Sequence, residues 1–258
     1  MSSESGHWYT QSGDPAYTII GKNGKERNTT VKDAREHNLV PSVTTILNIA
    51  AKPGLNNWLQ QQVLLAALTL PRMDGEPEAD WLDRVMSDSR STGRQAAERG
   101  TAMHGVLEKF YRSTEPQIWP LYVIETDRAI TEHFGKQDWT AETSFAHYLG
   151  FGGKIDLSAP GIVIDFKTKE GSLDKVTAYH EHLMQLAAYS VGLDMGEARC
   201  ANVFVNEQGD VKIIEHSQED LENAWHCFEC LLQFYKIKNN LRSRAESCVP
   251  PYTLLVSE

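Results

Sequence analysis

The chain lacks any apolar run approaching the length of a membrane span. A spanning helix needs about 20 consecutive apolar residues, so no such helix is expected. The start, Met1-Ser2-Ser3-Glu4-Ser5-Gly6, is polar and free of arginine. It resembles neither a secretory signal nor a transit peptide, and the expectation is an intracellular protein with no membrane partner. No G-x-x-x-x-G-K-[ST] loop occurs, so the chain brings no ATP-driven motor of its own. No G-x-S-x-G elbow occurs either. His180-Glu181-His182 fails as a zinc helix, because Met184 stands where the second histidine of His-Glu-x-x-His belongs. Gly150-Phe151-Gly152-Gly153 lacks dinucleotide-loop spacing and leads into a strand.

Positive charge is also in short supply. Lys and Arg number 25 against 35 Asp and Glu, for a formal net charge of -10. That argues against a protein that coats DNA by bulk electrostatics, while leaving room for a local basic groove. Cysteine is scarce, at four residues: Cys200, Cys227, Cys230 and Cys248. In an intracellular protein these are reduced thiols. Cys200 falls on a predicted strand. Cys227 and Cys230 fit the buried face of an amphipathic helix.

What is present is enough for one large domain, since 258 residues can bury a sizeable core. The reading is a single domain, 1–258, with a hairpin and helical cap over 1–90, a core over 91–242 and a tail over 243–258. Trp8-Tyr9, Tyr17 to Ile20 and the Gly21–Gly24 turn suggest a small hairpin. Val31 to His37 is a short helical segment. Ser42 caps a helix over Val43 to Ile49, which Pro53-Gly54 ends. Apolar spacing predicts a helix over Leu55 to Leu70. Two further helices follow a Pro71–Pro77 loop, at Glu78–Met86 and Thr92–Tyr111. Trp58 and Trp81 are either core residues or stacking surfaces for bases. After a break at Pro116 to Pro120, a helix is expected over Val123–Phe134. Strands are expected at Ala141–Tyr148, Phe151–Leu157 and Gly161–Thr168. A helix over Asp174–Gly192, strands at Arg199–Val205 and Val211–Glu215, and a helix over Gln218–Leu241 complete the order. The fold class is α/β, with a mixed central sheet flanked by helices and an N-terminal helical elaboration.

The chemistry concentrates between Glu142 and Tyr189. Gly153-Lys154-Ile155-Asp156 closes one strand, Ser158, Pro160 and Gly161 make a break, and Ile164-Asp165-Phe166-Lys167-Thr168-Lys169 lies on the next. Alternation puts Asp165 and Lys167 on one face and Ile164 and Phe166 on the other. Two acids from neighbouring strands repel unless something positive lies between them. A hard divalent cation with oxygen ligands and retained waters answers that need. Gln185 and Tyr189, one helical turn apart, share a face.

Asp156, then Asp165-x-Lys167, then Gln185-x-x-x-Tyr189, preceded by His104 in Arg99-Gly100-Thr101-Ala102-Met103-His104-Gly105, resembles the PD-(D/E)XK nucleases, in particular their RecB-type branch. Val40 to Leu47 is similar to the opening of phage-encoded exonucleases and their mitochondrial genome maintenance relatives. The resemblance implies a nuclease-like core and a metal-dependent DNA nuclease. The activity it implies is that of an exonuclease at DNA ends or single strands, in replication, recombination or repair. The rivals are a non-catalytic nucleic-acid-binding module on the same fold, and a structure-specific endonuclease or RNase. It further implies Mg2+ or Mn2+ held by His104, Asp156, Asp165 and the Phe166 carbonyl, with Glu142 either a further ligand or a solvated edge residue. Lys167 would sit by the attacking water, Gln185 by a phosphate or a ligand, and Tyr189 by a neighbour or the strand. Lys154 and Lys169 are either phosphate contacts or surface lysines. The implied partners are DNA and a helicase or recombination annealing protein. The implied location is the cytoplasm of a bacterial or phage-infected cell. The iron–sulfur cluster of some RecB-type nucleases is not expected, because no cysteine precedes His104.

Overall fold

The computed structural model describes residues 6–115 and 117–241. Expectations for the first five residues, Pro116 and the tail with Cys248 lie outside the described residues. The chain divides into two compact units, Met1–Ala50 with Phe110–Glu258, and Ala51–Lys109.

The larger unit opens with β1 (Trp8–Tyr9), β2 (Thr18–Ile20), β3 (Glu26–Asn28), α1 (Val31–His37), β4 (Val40–Pro41) and α2 (Val43–Leu47). The Gly21–Gly24 turn closes a β2–β3 hairpin, helped by Gly24 at φ 73°. Trp8-Tyr9 is not part of that hairpin, because it pairs with Val40-Pro41 instead. Ser42 caps α2 as expected, accepting from the Thr45 N–H at 3.0 Å.

In the smaller unit, α3 (Pro53–Thr69) and α4 (Glu78–Ser89) precede α5 (Ser91–Arg112), whose last residues belong to the larger unit. Pro53 starts α3 rather than ending the segment before it. Its missing N–H is one that a helix start leaves without a partner anyway. Trp58 and Trp81 are half-buried. The Trp81 indole donates to the Leu70 carbonyl at 2.7 Å, which ties it into this unit.

The larger unit resumes with α6 (Leu121–Phe134), β5 (Thr140–His147), β6 (Phe151–Ala159), β7 (Ile162–Thr168), α7 (His180–Gly192), β8 (Arg199–Val205), β9 (Val211–Glu215) and α8 (Gln218–Lys238). The five strands form one sheet in the order β5-β6-β7-β8-β9. β7 and β8 are parallel and the other pairs antiparallel. The parallel step requires a long crossover, which α7 supplies. This is the expected α/β fold with a mixed sheet and flanking helices.

β7 and β8 are buried almost throughout, as near-continuous apolar strands demand. One core joins Phe145, Phe151, Ile155 and Val163 of the sheet to Leu186 and Ala188 of α7 and to Leu221, Phe228 and Leu232 of α8. Each large side chain so buried contributes roughly 1.5–3 kcal/mol. Gly192 lets the end of α7 settle onto the Phe145 ring, in space that a Cβ would fill.

Two expectations are corrected here. α7 begins at His180 rather than Asp174. The Lys212 ammonium donates to the carbonyls of Leu173, Asp174 and Val176, and the Val176 N–H closes a single turn onto Leu173, so a side chain rather than a continuous helix ladder holds this segment. Cys227 and Cys230 are exposed. The buried stripe of α8 runs through Leu221, Ala224, Phe228, Leu232 and Tyr235, beside the cysteines rather than over them. Cys200 is buried on β8. Among the described residues, no helix is long and apolar enough to cross a membrane.

Candidate active site

The strand registers align one polar row across the sheet. β5 pairs Ala141 with Leu157 and Thr143 with Ile155, which sets Glu142 level with Asp156. β6 pairs Leu157 with Ile164 as its last rung, and the Asp156 side chain just beyond it reaches the main-chain N–H of Phe166, next to Asp165. β7 pairs Asp165 with Asn202. Neighbouring strands lie about 4.8 Å apart, so Glu142, Asp156, Asp165 and Asn202 are successive neighbours.

Each member of the row is held by protein donors. The Asp156 carboxylate accepts the main-chain N–H of Phe166 at 2.8 Å. Asp165 is buried, at 2% exposure. It accepts from the Asn202 amide at 2.9 Å and lies 2.8 Å from the Lys167 ammonium. Lys167 also donates to Gln185 Oε1 at 3.0 Å, and Gln185 Nε2 donates to the Tyr189 hydroxyl at 3.0 Å. The shared face of α7 therefore meets the Asp165–Lys167 face of β7. Burial works against the charge on Lys167. The Asp165 carboxylate beside it, with Asp156 and Glu181, more than offsets this and holds its pKa above the ordinary lysine range. Burial first, then the Asp165 and Asp156 charges, push the Tyr189 phenol upward. Tyr189 is thus a neutral phenol and Lys167 a cation at neutral pH.

Glu142 closes the row with backbone strain. Its φ of 59° is left-handed, inside a strand and at a residue with a Cβ. Such conformations cost about 1–3 kcal/mol and cluster at functional sites. Its side chain is largely buried and pairs with the Lys154 ammonium. Lys169 is exposed just past β7, with its ammonium 5.7 Å from the Tyr179 ring centroid. His104 stands half-buried on α5, within the smaller unit. The structure therefore brings together Asp156, Asp165, Lys167, Gln185 and Tyr189, pairs Glu142 with Lys154, and sets Lys169 against Tyr179.

Among the described residues, no three His, Cys, Asp or Glu side chains gather into an ion site by themselves. The donor set still fits a hard cation. Mg2+ is commonly held by one or two carboxylates and keeps several waters, and Asp156 lies on the strand next to Asp165, its carboxylate on the Phe166 N–H.

Sequence reasoning missed two residues. Asn202 is fully buried, and His216 Nε2 lies 2.8 Å from its Oδ1. The available signal was an asparagine amid the apolar run Cys200-Ala201-Asn202-Val203-Phe204, since Asn is depleted in strands.

No protein-family model matches the chain, and no curated protein matches it. Among solved structures, the chain is similar to a candidate exonuclease from Eubacterium rectale at 14% identity. The match covers 60% of this chain and 77% of that one, with a TM-score of 0.39. It is also similar to an alkaline exonuclease from Laribacter hongkongensis at 14% identity. That match covers 72% of this chain and 98% of the other, with a TM-score of 0.33. Likenesses at these scores carry no argument about activity; the site geometry has to supply it.

Proposed function

We propose that the chain is a metal-dependent DNA nuclease, acting as an exonuclease on DNA ends or single strands. One observation carries the reading. Two carboxylates lie on neighbouring strands, Asp156 taking the main-chain N–H of the residue after Asp165, and the Lys167 ammonium is held against Asp165 at 2.8 Å. Asp165 is buried and Asp156 and Lys167 are half-buried, and a charged cluster with a perturbed lysine is a candidate functional site with the chemistry of phosphodiester hydrolysis.

Asp156, Asp165 and the Phe166 carbonyl would hold Mg2+ or Mn2+, with Glu142 at the edge of the set. When bound, the ion would balance charge on the phosphate and lower the pKa of a coordinated water. Lys167 would sit by the attacking water, position it and stabilise charge on the phosphate. Gln185 has its carbonyl committed to Lys167 and its amide to Tyr189. Its role is to aim Lys167, with Tyr189 buried behind it as an anchor.

The test compares end-labelled linear single-stranded DNA with a closed circular strand, each with Mg2+, Mn2+ or EDTA. Metal-dependent loss of the linear form alone is the expected result. Cutting of the circle as well would replace exonuclease by endonuclease. Failure to cut either form, or duplex DNA, in any metal would overturn the reading.

A further inference from the structure

We propose that Tyr179 and Lys169 form a subsite for one nucleotide of single-stranded DNA, the Tyr179 ring stacking on its base and the Lys169 ammonium meeting its phosphate. The inference rests on the nuclease reading above and deepens it, by assigning a substrate contact beside the acids.

The subsite follows from how β7 runs past α7. Asp165 and Lys167 of β7 and Lys169 just past it are spaced by two. The Lys169 N–H donates to the Val205 carbonyl at 3.0 Å, which carries the β7–β8 pairing one residue beyond Thr168. Side chains spaced by two share a face, and both lysines do meet the same helix. Lys167 donates to Gln185 of α7 at 3.0 Å. The Lys169 ammonium lies 5.7 Å from the ring centroid of Tyr179, the N-cap residue of α7. Two strand residues span about 6.6 Å, which is close to the repeat of an extended single strand. A phosphate beside Lys167 therefore brings the next one to Lys169.

Tyr179 has the placement of a stacking surface rather than of a core residue. Its side chain is presented to solvent, at 57% exposure, while its backbone is fixed. Its N–H donates to His182 Nδ1 at 3.3 Å, and its carbonyl accepts the His182 N–H at 2.9 Å. The buried His182 ring stands against both the Tyr179 ring and Phe204 of β8, with centroids 5.3 and 6.0 Å apart. An aromatic side chain held in this way loses little freedom on binding, and every base offers it a π-face. The contact between Lys169 and the ring is of cation–π range. At an exposed site such a contact is weak, so the ammonium is readily passed to a phosphate oxygen. The formal net charge of -10 gives the chain no bulk attraction for DNA, which leaves phosphate contacts to individual cations such as Lys169.

The test measures binding of an oligothymidylate and of an abasic strand of the same length, by fluorescence anisotropy in EDTA over a range of salt. Thermal unfolding of each variant runs alongside. Tyr179→Ala is expected to weaken oligothymidylate binding by about tenfold and to leave binding of the abasic strand unchanged. Tyr179→Trp keeps the stacking surface and is expected to bind as wild type does. Lys169→Gln is expected to weaken both strands alike. It should also flatten the slope of log affinity against log salt by about 0.7, the share of one phosphate on a single strand, whereas Tyr179→Ala leaves that slope as it is. Folded Tyr179→Ala that binds oligothymidylate as wild type does, or loses as much affinity for the abasic strand, would overturn the stacking. An unchanged salt slope in Lys169→Gln would overturn the phosphate contact. Should Tyr179→Ala not fold, equal binding of the two strands by wild type would overturn the stacking instead. Each of these results leaves the nuclease reading standing. Wild type that binds neither strand would remove the subsite, and the cleavage assay with Mg2+ then decides the nuclease reading by itself.

Discussion

The main-chain N–H of Phe166 donates to the carboxylate of Asp156 at 2.8 Å, just beyond the last β6–β7 rung at Leu157 and Ile164. A side chain thus stands in where a ladder bond would fall. The sheet is held together by the same group that the proposed function assigns to metal binding. Asp156→Ala removes this charged acceptor, and a hydrogen bond to a charged group is worth about 1.5–3 kcal/mol. Asp156→Asn keeps an acceptor and loses the charge. Both variants are expected to lose cleavage, and only the alanine variant to lose stability on that scale. Urea unfolding beside a cleavage assay checks this. Equal stability of the two would show that the Phe166 bond contributes nothing.

Lys167 is pinned between Asp165 and Gln185, and its charge is sustained by the acids around it. Its replacement by Ala is expected to lower single-turnover cleavage by about a hundredfold or more, on the scale of losing one electrostatic stabiliser. DNA affinity, read by fluorescence anisotropy without metal, should change by no more than a few-fold. A group that acts in the transition state gives that split. Matching losses in both would reassign Lys167 to phosphate anchoring.

Away from the site, Arg199 donates twice to Glu215, at 2.7 and 2.8 Å, and His133 Nε2 lies 2.7 Å from the same carboxylate. The Arg199 guanidinium, with His133 adding to it, pulls the Glu215 carboxyl from 4.5 down to about 2. A carboxyl depressed on folding stabilises the protein above its unfolded pKa and stops doing so as pH falls through its folded pKa. Glu215 thus contributes fully above about pH 4.5, and its contribution fades between there and about pH 2. Glu215→Gln should be less stable than wild type at pH 6, with the gap closing across that window. Calorimetric unfolding from pH 6 to 2.5 reads it. A gap that stays constant with pH would contradict the assignment.

Much of this architecture was legible in the sequence because period and punctuation agreed. Gly161, at φ 73°, turns β6 into β7 where Pro160-Gly161 suggested a break. Alternation placed Asp165 and Lys167 on one face, and they lie 2.8 Å apart. The spacing of Gln185 and Tyr189 put both on one helix face, and they are hydrogen-bonded. The misses have physical causes. The segment from Leu173 to Val176 has its carbonyls taken by Lys212, a partner 36 to 39 residues away that no local pattern announces. The cysteines of α8 sit beside the buried stripe because a helical repeat leaves flanking positions ambiguous by one residue. Asn202 and His216 join the site only through strand register, which the chain order of β7, α7, β8 and β9 does not specify.

The most direct measurement compares wild type with Asp165→Asn on end-labelled linear single-stranded DNA, with Mg2+ and with EDTA, after both are shown to unfold cooperatively. The account predicts metal-dependent shortening by wild type, none with EDTA, and none by Asp165→Asn under either condition. Cleavage by Asp165→Asn at the wild-type rate would show that the row of acids across β6 and β7 is not where the chemistry happens.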